Sequence, residues 1–259
     1  MSIEIEDLSF GYKPERQILH HITCSMADGQ ITSIIGSNGT GKTTLLRCML
    51  GLLPYQGNIT ISGGDLKACN RLQLSRLMAY VPQKCNVSYN YETIEMVMMG
   101  ASGRIGRYAT PGKKEEAEAM EAMEKIGIAS LAHQLFWEIS GGEQQLVLVA
   151  RSLMQGARTL LLDEPVASLD FANQAKVLWV VRALADDGYC VILTSHNPDQ
   201  VFRFSDQVIA VKQGSVLHQG KPDEVVTAPL IKELYGIETE VFSLADDTIR
   251  VCIPKEDIQ

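Results

Sequence analysis

No apolar run in this 259-residue chain approaches the ~20 residues that a membrane-crossing helix requires. Nor does a charged–apolar–small signal pattern open it. A soluble, cytoplasmic protein is therefore expected, and any membrane role must come through a partner. Positive charge is scarce as well: 23 Lys and Arg stand against 31 Asp and Glu, a formal charge of −8. That balance offers no basic stripe to a nucleic-acid backbone. Paired cysteines are also missing. Cys24, Cys48, Cys69, Cys85, Cys190 and Cys252 form no C-x-x-C pair, which disfavours a zinc or redox framework. Cys48 and Cys190 sit inside apolar runs and read as small core residues. His20-His21 beside Cys24 makes no metal site, because neighbours on an extended segment point to opposite sides and no second cluster is at hand. Internal repeats and low-complexity linkers are absent too.

What is present begins with a hydrophobic share of 46%, enough for a substantial core in one large or composite domain. The organising stretch is Gly36-Ser37-Asn38-Gly39-Thr40-Gly41-Lys42-Thr43, a full match to G-x-x-x-x-G-K-[ST]. It follows the apolar run Ile31–Ile35 and opens into Thr44-Leu45-Leu46-Arg47-Cys48-Met49-Leu50. That strand–loop–helix context turns a pattern into a phosphate cradle. Glycines let successive N–H groups turn inward toward phosphate oxygens, and the helix N-terminus adds its positive end. Lys42 would reach the β- and γ-phosphates, and the Thr43 hydroxyl would take a place on Mg²⁺.

Around this loop the chain alternates elements. Ile3–Glu6 reads as a half-buried strand, with a turn expected at Ser9-Phe10-Gly11-Tyr12. Tyr12 can stack on adenine or simply pack. Leu72, Leu74 and Leu77 suggest a short amphipathic helix, and Met78–Val81 a strand stopped by Pro82. Gln83 then stands where α/β proteins place ligands, or is merely a surface amide. From about Lys84 to Arg158 strand-like runs disappear, and Lys113–Ile126 shows an apolar side against glutamates. Ser140 is placed as the N-cap of a helix whose first turn holds Gly141, Gly142 and Glu143. That terminus is either an anion site or a well-capped helix. Thr159–Leu162 reads as a buried parallel strand closed by Asp163 and Glu164, acids able to hold Mg²⁺ and to deprotonate water. Cys190–Thr194 is a second such strand. His196 at its end could donate to a γ-phosphate oxygen.

Taken together, the phosphate loop, Gln83, Ile139–Gln145, Leu160–Pro165, Ser168-Leu169-Asp170 and His196 resemble the ATP-binding subunit of ABC transporters, over essentially the whole chain. The resemblance implies an α/β fold: a P-loop NTPase core with a mostly parallel sheet, an N-terminal antiparallel β subdomain and an inserted helical subdomain. The core is expected at 1–83 and 159–259, and the helical subdomain at 84–158. It also implies the cofactors, ATP with Mg²⁺. Tyr12 is expected to stack on adenine, while Lys42, the loop backbone from Gly36 to Thr43 and Thr44 hold the nucleotide. Thr43, Gln83 and Asp163 serve Mg²⁺, directly or through water. Glu164 is implied as the catalytic base, assisted by Gln83, Lys42 and His196. Ser140, Gly141, Gly142 and Glu143 are expected on the ATP held by a second copy of the chain, with Asp170 at the dimer seam.

The implied partners are that second copy, an integral membrane permease and, indirectly, a substrate-binding protein, with no nucleic acid. The chain is expected at the cytoplasmic face of the membrane. Ile139, Ser37 and Glu143 depart from the family's usual Leu, Pro and Gln, and none of these changes removes a catalytic group. Tyr80–Gln83, Gly142–Val147, Glu164–Asp170 and Thr194–Pro198 look most like importers of iron–siderophore, haem or cobalamin complexes. A soluble ABC ATPase acting on an iron–sulfur or DNA-repair scaffold is the alternative.

Overall fold

The structure, a computed structural model, describes residues 2–13, 15–85, 88–105, 110–245 and 249–255. The chain opens with β1 (Ile3–Lys13) and β2 (Arg16–Met26), continues into β3 (Ile31–Ile35) and helix α1 (Lys42–Met49), and returns as β4 (Gln56–Ile61) and β5 (Gly64–Asp65). Helix α2 (Arg71–Leu77) leads into β6 (Met78–Val81). Three helices follow: α3 (Thr93–Met98), α4 (Lys113–Ile126) and α5 (Gly141–Met154). Next come β7 (Thr159–Leu162), α6 (Phe171–Asp186), β8 (Cys190–Ser195) and α7 (Pro198–Phe204). The chain closes through β9 (Gln207–Lys212), β10 (Ser215–Gly220), α8 (Pro222–Val225), α9 (Ala228–Tyr235), β11 (Thr239–Leu244) and β12 (Ile249–Pro254).

Two compact units result. The first combines Met1–Ala68 with Cys190–Gln259. It holds an antiparallel sheet ordered β2-β1-β4-β5 and a run ordered β10-β9-β3-β8. In that run β3 pairs parallel with both β8 and β9. Every residue of β3 and β8 is buried, as expected for parallel strands covered on both faces. The expected turn at Ser9–Tyr12 does not form. Instead β1 runs on to Lys13 and absorbs its irregularity as register shifts against β2 after Ile5, Leu8, Phe10 and Gly11. Such bulges let a strand twist without ending. The β9–β10 turn falls at Gln213-Gly214, where both residues have positive φ, the geometry favoured by two-residue hairpins. Val201, Val208, Leu230, Ile231 and Leu234 bury a cluster against Ile35, so the C-terminal helices brace the strand that feeds the phosphate loop.

The second unit is Cys69–Tyr189. Here β6 and β7 pair in parallel from Met78↔Thr159 to Val81↔Leu162. Helix α2 starts on an Asn70–Gln73 capping box. Helix α4 spans the expected Lys113–Ile126 and buries Ala119, Met123 and Ile126. Its opposite face is solvated and acidic. Gly127, in the left-handed region, ends it. Helix α5 buries Leu146 through Ala150 as a continuous run, which marks it as the central helix of this unit.

Candidate active site

In the first unit the phosphate loop is shaped by contacts that few residue types could meet. Gly36 has φ +155°, and a Cβ there would lie 2.2 Å from the Val211 carbonyl oxygen, so only glycine fits. The Thr40 hydroxyl donates to the Ser37 carbonyl at 2.9 Å. The Gly214 N–H donates to the Thr40 carbonyl at 3.2 Å, tying the loop to the β9–β10 turn. Lys42 is only 5% exposed, and its ammonium donates to the carbonyls of Gly36 at 2.7 Å and Ser37 at 3.1 Å. The cation is thereby held along the loop. Gly41 caps α1 without a side chain, so the opening N–H groups of that helix face no capping oxygen and suit an anion.

His196 reaches this end of the sheet by register. Ile35 pairs with Ser195 in the parallel ladder, so Gly36 and His196 leave neighbouring strands at the same C-terminal edge, the ligand-binding edge of α/β sheets. His196 is exposed there. Tyr12 is 57% exposed and stands edge-on to Phe10, with ring centroids 4.9 Å apart at 83°. One face of a ring held this way suits stacking.

The second unit repeats the logic with acids. Val81 pairs with Leu162, so Pro82-Gln83 and Asp163-Glu164 leave adjacent strands together. The Gln83 amide donates to Glu164 Oε2 at 3.2 Å. Asp163 is 6% exposed, and its Oδ2 accepts from the Tyr80 hydroxyl at 3.1 Å. Glu164 adopts φ +46°, a left-handed backbone that costs a non-glycine residue roughly 1–3 kcal/mol and clusters at functional sites. For a divalent cation, the hydroxyl of Thr43 and the carboxylate of Asp163 are hard oxygen donors. Among the described residues no group of three or more His, Cys, Asp or Glu could hold a metal. Each of these oxygens is by its own chemistry fit for Mg²⁺ that draws most of its ligands from phosphates and water.

Helix α5 begins on a reciprocal cap. Ser140 Oγ donates to Glu143 Oε2 at 2.7 Å, the Ser140 N–H donates to the same oxygen at 2.8 Å, and the Glu143 N–H returns to Ser140 Oγ at 3.4 Å. These bonds from Ser140, the hydroxyl first, hold the Glu143 carboxyl below the usual carboxylate range. Asp170 caps α6 and accepts from Asn173 through both backbone N–H and side-chain amide, at 2.9 and 2.7 Å. The backbone bond first, then the amide, lowers its pKa as well. The two helix starts meet at Gly142, where a Cβ would lie 2.5 to 2.6 Å from Cγ, Cβ and Oδ1 of Asn173. Gly142→Ala must therefore displace α5 or α6, because Asn173 Cβ cannot rotate away. A loss of about 1–3 kcal/mol in unfolding free energy is expected, read by urea denaturation. An unchanged midpoint would mean that the contact is soft.

The structure adds two residues to which sequence reading gave no role. Tyr80 is a partner of buried Asp163, and its signals were its place in a strand beside Pro82 and in the stretch Tyr80–Gln83. Gln145 is 5% exposed within an otherwise apolar stretch of α5, and its Nε2 is buried without a hydrogen-bond partner. It lines a cavity of about 280 Å³ together with Gln83, Gly141, Glu164, Ser168 and Leu169. A polar amide inside an apolar run was the available clue.

With the geometry in place, the family model described as ABC transporter matches residues 19–167. A Helicobacter pylori protein named as an iron chelatin transport ATP-binding protein is 34% identical over 248 residues, 93% of this chain and 95% of its own length. The hemin import ATP-binding protein HmuV of Roseobacter denitrificans is 35% identical over 251 residues, 93% of each chain. Among solved structures, a chain described as belonging to a metal-chelate type ABC transporter, in an inward-facing conformation, superposes with a TM-score of 0.86. It is 26% identical and is matched over 99% of this chain and 98% of its own.

Proposed function

The chain belongs to the ABC transporter family as an ATP-binding protein, and from that premise we propose that it powers the import of a metal chelate. Its activity is ATP hydrolysis coupled to transport. The observation that carries the chemistry is the strained Glu164 with Gln83 on its carboxylate. An acid oriented by an amide is a general base for water. The phosphate loop and Lys42 bind the phosphates, Thr44 continues that grip into α1, and Tyr12 stacks on adenine. His196 donates to the γ-phosphate. Asp163, oriented by Tyr80, and Thr43 hold Mg²⁺, with Gln83 sensing the ion or the water. When bound, the ion would neutralise charge that develops on the phosphate oxygens.

Two copies are proposed to close on two ATP molecules. Ser140, Gly141 and Gly142 of one copy, on the helical stretch 84–158, meet the nucleotide of the other, with Glu143 beside them and Asp170 at the seam. Hydrolysis then removes the shared ligand and lets the pair reopen, a motion that a permease turns into alternating access. The imported ligand is an iron–siderophore, haem, cobalamin or related metal chelate, a reading supported by the names of the two relatives. A binding protein would deliver it. No helix among the described residues is long and apolar enough to cross a membrane. Attachment at the cytoplasmic face is proposed to be through the permease. Tagged purification from gently solubilised membranes tests this. Recovery with an integral membrane protein, at a ratio of two ATPase chains per transporter, is expected. Recovery with a soluble scaffold alone would overturn it.

A further inference from the structure

The α5 N-terminus is proposed above to meet the γ-phosphate held by a second copy, and the following inference rests on that reading. In the structure this terminus already serves an anion from its own chain. The Glu143 carboxylate takes both the hydroxyl proton and the backbone N–H of Ser140 on a single oxygen, Oε2. Ser140 has one hydroxyl proton to donate, and a carboxylate can only accept. The hydroxyl cannot serve Glu143 and a phosphate oxygen together. The positive end of the α5 dipole, which would favour phosphate, is likewise spent in part on Glu143.

We propose that Glu143 is a built-in competitor for the γ-phosphate, an intramolecular anion that sets the ATP threshold at which two copies close. To engage nucleotide, Ser140 must release Oε2, and the carboxylate must swing aside or stay as a like charge beside the phosphate. Lys176 lies near enough to favour the Glu143 charge, as the smallest of the influences on it. Glutamine, the family's usual residue at this position, would keep the reciprocal cap, since Gln serves at the third helical position as Glu does. It would remove the charge. The departure from the family pattern at 143 therefore alters electrostatics while sparing the fold.

The test uses the full chain carrying Glu164→Gln, which is expected to hold closed dimers, with and without Glu143→Gln. ATP-dependent dimerisation is followed by light scattering, and ATP binding to the monomer by a fluorescent analogue. Glu143→Gln should lower the ATP concentration for half-dimerisation about tenfold, the scale of one unit charge near another at a wet surface. Monomer affinity and melting temperature should not move, which separates the effect from a merely structural role. Near 1 M salt, where the screening length falls to about 3 Å, most of the difference should vanish. Dimers that form at the same ATP concentration in both variants overturn the competitor but leave the shared-nucleotide reading standing. If neither variant dimerises with ATP, the shared-nucleotide reading fails and the competitor falls with it.

Discussion

Glu164→Gln should slow ATP turnover by about 10²–10⁴-fold, the usual worth of a positioned general base, while nucleotide affinity stays within about twofold. The substitution is nearly isosteric, so the strained φ of +46° and the neighbouring strand ends persist. What changes is the proton acceptor. An amide oxygen is far less basic than a carboxylate, and the barrier rises by roughly 1.4 kcal/mol for each tenfold loss. The Gln83 amide that donates to Oε2 at 3.2 Å can still pair with the amide oxygen, so orientation survives. The proposed consequence is a dimer held closed by unhydrolysed ATP. Phosphate release and size-exclusion scattering, run side by side, check both halves. Turnover at the parental rate would remove Glu164 from the role of base, and a slow enzyme that stays monomeric would remove the shared nucleotide.

Lys42→Ala is expected to act one step earlier, at binding. The ammonium sits 5% exposed with two loop carbonyls as acceptors, already desolvated and aimed. Losing a charge-assisted bond to phosphate removes about 1.5–3 kcal/mol or more, so ATP affinity should drop by about 10²-fold. Fold stability should change far less, because the ammonium's lost bonds to carbonyls are set against the relief of a buried charge. Isothermal titration with ATP, paired with a thermal melt, reads the two effects separately. An unchanged affinity would mean that the backbone cradle alone holds the phosphates. The two variants are diagnostic as a pair, since one should bind without turning over and the other should barely bind.

Residue pattern made some of this legible. The runs Ile31–Ile35, Thr159–Leu162 and Cys190–Thr194 are short and mostly apolar, and each lies in a fully buried strand, because burial on both faces favours apolar side chains and leaves room for only a few small hydroxyls. Gly36 could be placed for the same local reason, since only a glycine meets the backbone angle of that turn. The reach of β1 past Gly11 was not legible. Gly-Tyr reads as a turn until the partner strand β2 supplies hydrogen bonds that make a bulge cheaper than a stop. Nor did Ser140's N-cap pattern reveal which way Glu143 would fold.

By itself, then, the order of residues determined the strand–loop–helix cradle, the acids closing a buried strand and the capped glycine-rich helix start. Those features depend on neighbours in the chain and on side-chain periodicity. Tertiary structure alone decided that Tyr80 orients Asp163, that Gln83 reaches Glu164, that Glu164 carries backbone strain and that Asn173 crowds Gly142. Each of these joins residues from separate elements, or records what packing imposes on one residue, and strand register and helix contact distance are settled only when distant segments close on one another.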